Sequence, residues 1–425
     1  MGFQQGLSGL NATSKSLEVI GNNIANANTY GAKVARAEFG DMYASALSGA
    51  GTSNIGIGVN LNAVAQQFTQ GNISTTGNSM DLAINGAGFF QLSDGAGPPQ
   101  YTRNGQFKVD RDGYIVNNDK LKLMGYPADG SGAIQPGLAQ PLKLPTAGID
   151  PSATSDVTME FNLDSRAGVT WPGAGATPQI DFTNPKTYNN ATSLTVYDVK
   201  GQPVAMTYYF QKTATDQWNV YATANGTPVN GTAAAPEPIT STPIDFQPDG
   251  SGPITAVGAL PISIAGPITT SSGAEIVTPL DFTLSLAGAT QYGTTFGVTD
   301  LKQDGYAPGQ LTSVTVEEDG IITARYSNGQ SKPAGQLELA TFRNPQGLQA
   351  LGGNTWANTH ASGDPVVGVP SQGSMGVLQA GALEESNIDL TGELVSMITA
   401  QRIYQANAQT IKTEDQVMQT LVNLR

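Results

Sequence analysis

The chain has 425 residues, of which 34 are acidic and 20 basic, giving a net charge of −14 and a pI near 4.4. This charge argues against nucleic acid or an anionic membrane as a partner, because phosphate groups bind clustered Lys and Arg. The sequence contains no cysteine, which excludes disulfides, thiolate nucleophiles and Cys-based metal sites. The length and the 39% hydrophobic content predict two to four domains with real cores.

The first stretch, residues 1–30, is predicted to be an amphipathic helix. It lacks the basic and apolar regions of a cleaved secretion signal. Ser14 and Gly21 occupy two positions of a stripe whose members recur at alternating spacings of three and four. The apolar members of this stripe are Phe3, Leu7, Leu10, Leu17 and Ile24. Four asparagines between residues 22 and 28, followed by Gly31, predict a turn after the helix.

Residues 31–70 are interpreted as a linking segment. Within it, residues 44–60 are small and rich in glycine, which suggests a flexible or loosely packed stretch. Nowhere does the chain reach the roughly 18 consecutive apolar residues of a membrane-spanning helix, so no membrane insertion is expected.

From residue 71 onwards the pattern is typical of β structure. Strands alternate with turn dipeptides at Asn85-Gly86, Asn104-Gly105 and Asp112-Gly113, which together predict a β-meander. The same alternation returns around Asp319-Gly320 and Asn328-Gly329, more than a hundred residues later. We therefore interpret residues 71–145 and 296–375 as one discontinuous β domain.

The stretch between these two parts, residues 146–295, has a different composition, with frequent Pro, Gly, Thr and Ala and few basic residues. Turns are predicted at Lys200-Gly201 and Asn225-Gly226. Strands are predicted over 193–199, 205–212, 217–223 and 280–286. The pattern predicts an independent β domain inserted into the discontinuous one.

The last stretch, residues 376–425, is predicted to contain a long helix with its own stripe at spacings of three and four. Polar or small residues at Gln401, Ala408 and Asp415 complete this stripe. Its apolar members are Leu390, Leu394, Met397, Tyr404, Ile411, Met418 and Val422. Such a stripe needs a partner helix, and the chain offers one at its other end. The alternative is two amphipathic helices packed on separate cores.

The predicted fold is thus mainly β, with paired N- and C-terminal α-helices and a nested, multidomain arrangement. Residues 1–30 and 376–425 would form one terminal helical domain resembling a coiled coil. Between them lie the linking segment, the discontinuous β domain and the inserted β domain.

Residues able to carry catalysis are scarce. His360 is the only histidine and lies in a polar stretch, so it predicts neither a metal site nor a base. The pairs Glu317-Glu318 and Glu384-Glu385 are explained by a hairpin edge and by the start of the last helix. No nucleophile–base pair can be assembled from this inventory, and we expect no enzyme activity, no cofactor and no metal.

Three motifs carry a resemblance to a known family. They are NNIANANTYGAK at 22–33, GAGFFQL with YTRNGQFKVDRDGYIV at 86–92 and 101–116, and the stretch from Gly381 to the C-terminus. Together they resemble the signatures of the axial rod and hook proteins of the bacterial flagellum. The stretches 193–222 and 301–311 are similar to the central domain of hook proteins. The match covers most of the chain and is weakest around 45–60 and 225–275.

The resemblance implies a structural subunit that is exported through the flagellar type III apparatus without a cleaved signal. Subunits of this family polymerise beneath a hook cap into a curved extracellular tube. The tube acts as a universal joint between rod and filament, and junction proteins join its far end. The helices of many subunits would form the inner part of the tube and bury the two apolar stripes, which we call the seams.

Two alternatives are a distal rod protein and, from another class, a secreted β-rich adhesin. The distal rod protein of the family shares the terminal motifs but lacks the large insertion. An adhesin predicts clustered exposed Trp and Tyr, whereas Trp171, Trp218 and Trp356 are scattered along this sequence.

Overall fold

A computed structural model describes residues 2–43, 56–173, 179–254, 257–264, 268–269, 275–276 and 280–423. The first half of the chain contains α1 (Gly2–Asn26), β1 (Ala35–Tyr43), β2 (Gly56–Gln66), β3 (Ile73–Thr75), β4 (Leu82–Asn85), β5 (Phe89–Ser93), β6 (Gln100–Thr102), β7 (Lys108–Val109), β8 (Ile115–Val116), β9 (Lys122–Pro127), β10 (Gln140–Pro141), β11 (Asp156–Asn162), β12 (Asn190–Tyr197) and β13 (Pro203–Ala214). The second half contains β14 (Gln217–Ala224), β15 (Thr227–Pro228), β16 (Gly231–Thr232), β17 (Ala235–Pro236), β18 (Ile244–Asp245), β19 (Leu260–Ile264), β20 (Ile268–Thr269), β21 (Glu275–Ile276), β22 (Leu280–Ser285), β23 (Gly297–Gln303), β24 (Leu311–Val316), β25 (Ile321–Tyr326), β26 (Ser331–Leu337), β27 (Leu339–Thr341), a 3-10 turn (Pro345–Gly347), β28 (Gln349–Gly352), β29 (Thr355–Ala357), β30 (Val366–Gly368), β31 (Val377–Ala380), β32 (Ala382–Glu384) and α2 (Leu390–Asn423). The prediction of a mainly β chain with a helix at each end is confirmed.

The chain divides into two compact units. The first contains Met1–Thr146, Thr312–Arg325 and Ser331–Arg425, and the second Ala147–Leu311 and Tyr326–Gln330. The first unit therefore combines both terminal helices with the β stretches on either side of the insertion. The division into four parts that we derived from the sequence stays a prediction.

The β part of the first unit is built on a large sheet with the central strand order β26-β9-β5-β6-β29. Its strands come from both sides of the insertion, because β9 pairs with β26 and β6 pairs with β29. One core beneath the sheet contains Phe90, Phe107 and Leu339, and a second contains Phe89 and Trp356. These fully buried side chains hold together segments that are far apart in the sequence.

The predicted β-meander is wrong in its pairing. β4 pairs with β31 and not with β5. β6 pairs with β5 and β29 and not with β7. The turn expected at Asn104-Gly105 is not formed. The backbone of Gly105 lies so close to that of Leu82 that a side chain at Gly105 would collide with it. Asn104-Gly105 therefore marks a close backbone approach instead of a hairpin turn.

Five other predicted turns do join paired strands. Asn225 and Gly226 have φ values of 49° and 85°, as a type I′ turn between β14 and β15 requires. The other four are Asp112-Gly113, Lys200-Gly201, Asp319-Gly320 and Asn328-Gly329.

The interpretation of residues 31–70 as a linking segment needs a correction. β1 and β2 pair along their whole length as a long antiparallel hairpin, from Ala35 opposite Gln66 to Tyr43 opposite Gly56. Residues 56–60 of the stretch expected to be loosely packed belong to β2, while residues 44–55 lie outside the described part of the chain. The alternation of Val59, Leu61 and Ala63 with polar or small residues is a signal of this strand that we missed.

The second unit is a β-sandwich. One sheet has the order β19-β22-β11-β23 and the other the order β12-β13-β14-β15. A single core lies between them, in which the rings of Phe161 and Phe210 are 4.5 Å apart. β23 pairs with β11, so this unit continues to Leu311 and not only to the predicted boundary at residue 295.

Candidate assembly interface

The two terminal helices pack antiparallel against each other. A side chain built at Gly6 would meet Ile411 Cγ1 at 2.9 Å, and one at Gly9 would meet Asn407 Nδ2 at 2.7 Å. Nearer the other end of α1, Asn23 donates a hydrogen bond to Glu393 Oε1 at 3.1 Å. Gly6 and Gly9 thus let the two helix backbones approach closely near the start of α1.

The line of contact is displaced from the predicted seams. On α1 the buried positions are Gly6, Thr13, Ile20 and Asn23, each one residue before a seam position. On α2 the most buried residue of the described part is Ala400, one before the seam position at Gln401. The prediction that the terminal helices pair is met, but the residues that we expected to face the partner helix mostly do not.

Most of the predicted seam residues lie at least partly in solvent. Phe3, Leu7, Leu390, Leu394, Tyr404 and Met418 are each more than 40% exposed. Leu10, Leu17, Ile24, Met397 and Ile411 are half-buried. Ile411 is placed directly against α1, at Gly6. The side chain of Val422 lies outside the described part of the chain.

The β1–β2 hairpin also packs against α1. Ser8 Oγ donates to the Val59 carbonyl at 2.6 Å and accepts from the Val59 N–H at 2.8 Å. Asn23 makes the same pair of bonds with the backbone of Ala35, at 2.8 and 2.9 Å. Because side chains that bond both backbone groups of one residue set the register, α1 is tied to the hairpin at two points.

A buried cluster of charges joins the helical end of the first unit to its β part. Glu384 accepts from Lys33 Nζ at 2.5 Å through one oxygen and from Arg103 Nη1 at 3.0 Å through the other. All three side chains are at least 95% buried. Burial lowers the pKa of Lys33 and that of Arg103, and Glu384 opposes both shifts. The cluster was missed because nothing local in the sequence marks these three residues as neighbours.

Each member of this charge cluster comes from a different motif of the flagellar resemblance. Lys33 ends the first motif, Arg103 lies in the second and Glu384 is the fourth residue of the third. The cluster therefore brings the three motifs to one place in the first unit.

Neither a membrane span nor a metal site is visible in the described part of the chain. No described helix combines the length and apolar character needed to cross a membrane. Among the same residues, His, Asp and Glu form no group of three that could hold a metal ion.

Comparison with family profiles gives four matches. Residues 3–33 match "Flagella basal body rod protein", and residues 83–166 match "Flagellar hook protein FlgE/F/G D1 domain". Residues 129–306 match "Flagellar basal body protein FlaE D2 domain", and residues 379–424 match "Flagellar basal body rod FlgEFG protein C-terminal". The matched segments include the three motifs and most of the insertion.

Comparison with individual proteins extends the match to the whole chain. The chain is 41% identical to "Flagellar hook protein FlgE" of Salmonella typhimurium and of Escherichia coli K12, over 100% of both partners in each case. It is 32% identical to the protein of that name from Brucella suis, over 100% of this chain and 98% of the relative. A solved structure, that of Helicobacter pylori flagellar hook protein FlgE2, shares the fold with a TM-score of 0.50 at 14% identity, covering 73% of this chain and 100% of its own. The chain belongs to the flagellar hook protein family.

Proposed function

We propose that the chain is a structural subunit of the bacterial flagellar hook. Copies of it assemble into a curved, flexible tube that carries torque from the rod to the filament. The observation that carries this proposal is the row of apolar side chains that the paired terminal helices leave in solvent.

The exposed apolar surface of the helices extends beyond the seams. Besides the exposed seam residues, four further apolar residues of α2 are at least half exposed, namely Val395, Ile398, Ile403 and Val417. Covering a half-exposed side chain of this size stabilises by about 1 kcal/mol. A single such contact is too weak to hold a subunit, but a helix pair surrounded by copies of itself would cover many at once.

The predicted seams therefore keep their proposed role, with a changed geometry. We assign Phe3, Leu7, Leu10, Leu17 and Ile24 on α1 to contacts with neighbouring subunits. On α2 we assign Leu390, Leu394, Met397, Tyr404, Met418 and Val422 to the same contacts. Ile411 differs from these, because it already packs on Gly6 within the subunit.

The partners follow from the same proposal. The rod lies at one end of the tube and the hook–filament junction proteins at the other, and a hook cap directs the addition of subunits. Subunits reach the extracellular growing end through the flagellar type III export apparatus, without removal of a signal peptide. This function needs no catalysis, cofactor or metal.

The two alternatives are less well supported. A distal rod protein would lack the large insertion, whereas residues 129–306 match a D2-domain profile and the chain aligns with hook proteins from end to end. An adhesin would need an exposed aromatic platform, but Trp218 and Trp356 are 0% and 2% exposed.

The experiment is complementation of a flagellated strain that lacks its own hook gene. Negative-stain microscopy of the cell appendages should show curved tubes when this chain is supplied and none with the empty vector. Straight, rod-like extensions would favour the distal rod protein. Export of the chain without any tube would overturn the proposal.

A further inference from the structure

Three lysines lie on one face of the large sheet of the first unit, where β7, β8 and β9 are neighbours. Lys108 is paired with Val116, and Val116 is paired in turn with Lys122. Lys143 is paired with Tyr114, which lies two residues before Val116. Because paired residues on neighbouring strands have side chains on the same face, the three lysines point to one side of the sheet. We call these three lysines the lysine patch.

The ring of Tyr114 brings two charges of the lysine patch close together. Lys122 Nζ lies 4.1 Å from the centre of this ring, and Lys143 Nζ lies 5.5 Å from it. The two ammonium groups are therefore less than about 10 Å apart, which is close to the screening length of about 8 Å in physiological salt. An aromatic ring attracts each ammonium group but has no net charge, so it does not neutralise them.

The lysine patch has no acidic partner within the subunit. None of its members forms an ion pair with any described residue. Lys108 instead donates a hydrogen bond to Asn118 Oδ1 at 2.9 Å. Asp110 is the nearest acid along the strand, but its Oδ1 accepts the backbone N–H groups of Asp112 and Tyr114. Like charges on neighbouring strands are unfavourable, so the isolated subunit gains nothing from grouping these lysines.

A complementary negative surface lies at the turn between β24 and β25 of the same unit. Glu317, Glu318 and Asp319 are the only three consecutive acids of the sequence, and both glutamates are exposed. Their hydrogen bonds go to uncharged donors: the hydroxyl of Thr323 to Glu317 and the N–H of Ile321 to Asp319. No ion pair joins these acids to a cation in the described part of the chain. We call the three acids the acidic turn.

We propose that the lysine patch binds the acidic turn of a second copy of this chain. The inference rests on the proposed function, because a tube supplies neighbouring copies at high local concentration. The patch and the turn belong to different strands of one unit, so the contact is heterologous and repeats from copy to copy, as an open helical assembly requires. Exposed ion pairs add little affinity, whereas complementary charges fix orientation. The contact therefore sets the register between first units, and the apolar contacts of the helices hold the subunits.

Charge reversal tests this contact in the strain that lacks its own hook gene. One variant combines Lys122→Glu with Lys143→Glu, and the other combines Glu317→Lys with Glu318→Lys. Each variant places like charges opposite each other, so we expect several-fold fewer hooks per cell by negative-stain microscopy. All four substitutions in one chain restore opposite charges, and the hook number should return to that of the unsubstituted chain.

The matched control for the lysine variant is Lys186→Glu combined with Lys200→Glu. These two lysines are exposed in the second unit, and their reversal changes the net charge by the same amount. We expect this control to give the hook number of the unsubstituted chain.

Cross-linking of unsubstituted hooks tests the contact without any substitution. A carbodiimide activates a carboxylate, and a neighbouring lysine Nζ then attacks it, so that an amide forms with net loss of water. Peptide mass spectrometry should find the lysine patch joined to the acidic turn. The Lys302–Asp300 ion pair of the second unit is the positive control for the reaction.

The outcomes separate this contact from the proposed function. If the control amide forms but the patch is not joined to the turn, the contact is overturned, even where a substituted chain fails to fold. Fewer hooks from the lysine variant alone would overturn the acidic turn as the occupant, and so would a fourfold variant that does not recover. Normal hook numbers from both reversed variants would overturn the contact and leave the proposed function standing. No hooks from the unsubstituted chain would overturn both.

Discussion

At the scale of single residues, Glu338 is an acid in an unfavourable place. It is 3% exposed, and its Oε2 has no hydrogen-bond partner in the described part of the chain. Burial raises the pKa of Glu338 above its usual 4.5, and a hydrogen bond from Tyr126 opposes that shift. The native state therefore holds this proton more tightly than the unfolded state, and stability contributed by the protonated form is lost as the pH rises through the native pKa.

We expect Glu338→Gln to stabilise the first unit by about 1 kcal/mol at pH 7, because the amide removes the cost of a buried charge. Below pH 4.5 the benefit should vanish, since the native glutamate is then protonated as well. Urea unfolding at pH 4 and pH 7 measures both values. Tyr126→Phe is the matched control and should have the opposite effect at pH 7. An equal gain in the free energy of unfolding at both pH values would show that the cost of a buried charge is not its cause.

A substitution at Leu394 should impair assembly without impairing folding. It is 46% exposed in the subunit, so Leu394→Asp should leave the helix pair intact. If the proposed tube buries this side chain, an unpaired carboxylate there costs several kcal/mol and assembly should stop. The measurements are circular dichroism of the purified protein and hook counts in the complemented strain.

Thr399→Asp is the control, because Thr399 is exposed on the same helix and is polar already. Normal hooks from the Leu394 variant would show that Leu394 faces solvent in the tube. Ile411→Asp should instead impair the subunit itself, since Ile411 packs against Gly6.

At the scale of elements, the helix pair shows how far a sequence pattern can be trusted. The apolar repeat predicted two long helices, and both are present. It did not predict which face each helix turns to the other, because close helix packing selects small residues such as Gly6, Gly9 and Ala400. The larger apolar residues are left outside, where only an assembly would cover them.

A pair of glycines in α1 tests this packing. Gly6→Ala and Gly21→Ala each gain helix propensity worth about 1 kcal/mol. A side chain at Gly6 meets Ile411 at 2.9 Å, whereas one at Gly21 has nothing within 4 Å. We expect the amides of α1 to exchange more slowly in Gly21→Ala than in the unsubstituted chain. In Gly6→Ala we expect little or none of this slowing. Equal protection in the two variants would mean that α1 and α2 do not approach this closely in solution.

The β elements were predictable where the interactions are local. Four Asp-Gly or Asn-Gly dipeptides, together with Lys200-Gly201, located five hairpins, because each turn requires a positive φ value at its glycine. The pairing of β4 with β31 and of β6 with β29 was not predictable, since about 290 and 250 residues separate the partners and each local pattern fits several neighbours. The cluster of Lys33, Arg103 and Glu384 escaped prediction for the same reason, because isolated charges carry no periodic signal.

At the scale of the whole molecule, backbone hydrogen bonds join the two ends of the long segment that forms most of the second unit. The N–H of Ile149 donates to the Gly309 carbonyl at 2.8 Å, and the N–H of Gly309 donates to the Ile149 carbonyl at 3.1 Å. The chain thus enters and leaves the unit at adjacent points, and a short linker can bridge them. A deletion ending at residue 295 would leave β23 without its partner β11, so the cut belongs at 150–308.

We predict that replacing residues 150–308 with a short Gly/Ser linker leaves tube formation intact but removes its regular curvature. The helices, to which we attribute assembly, lie in the first unit together with the β1–β2 hairpin, and both remain unchanged. Contacts of the second unit with neighbouring copies would otherwise bias the tube towards one curved form. Negative-stain microscopy of hooks from the complemented strain should show straight or irregularly bent tubes, with swimming impaired in parallel.

The control is a chain in which the same linker is inserted after Gly226, in the turn between β14 and β15, without any deletion. It keeps the sandwich and should give normally curved hooks, which separates the loss of the unit from the presence of the linker. Hooks of normal curvature from the deletion variant would show that the second unit does not set the shape. No tubes, although the truncated protein is folded and exported, would mean that assembly itself needs the second unit, because the apolar row on the helices would then be insufficient to hold a subunit in place.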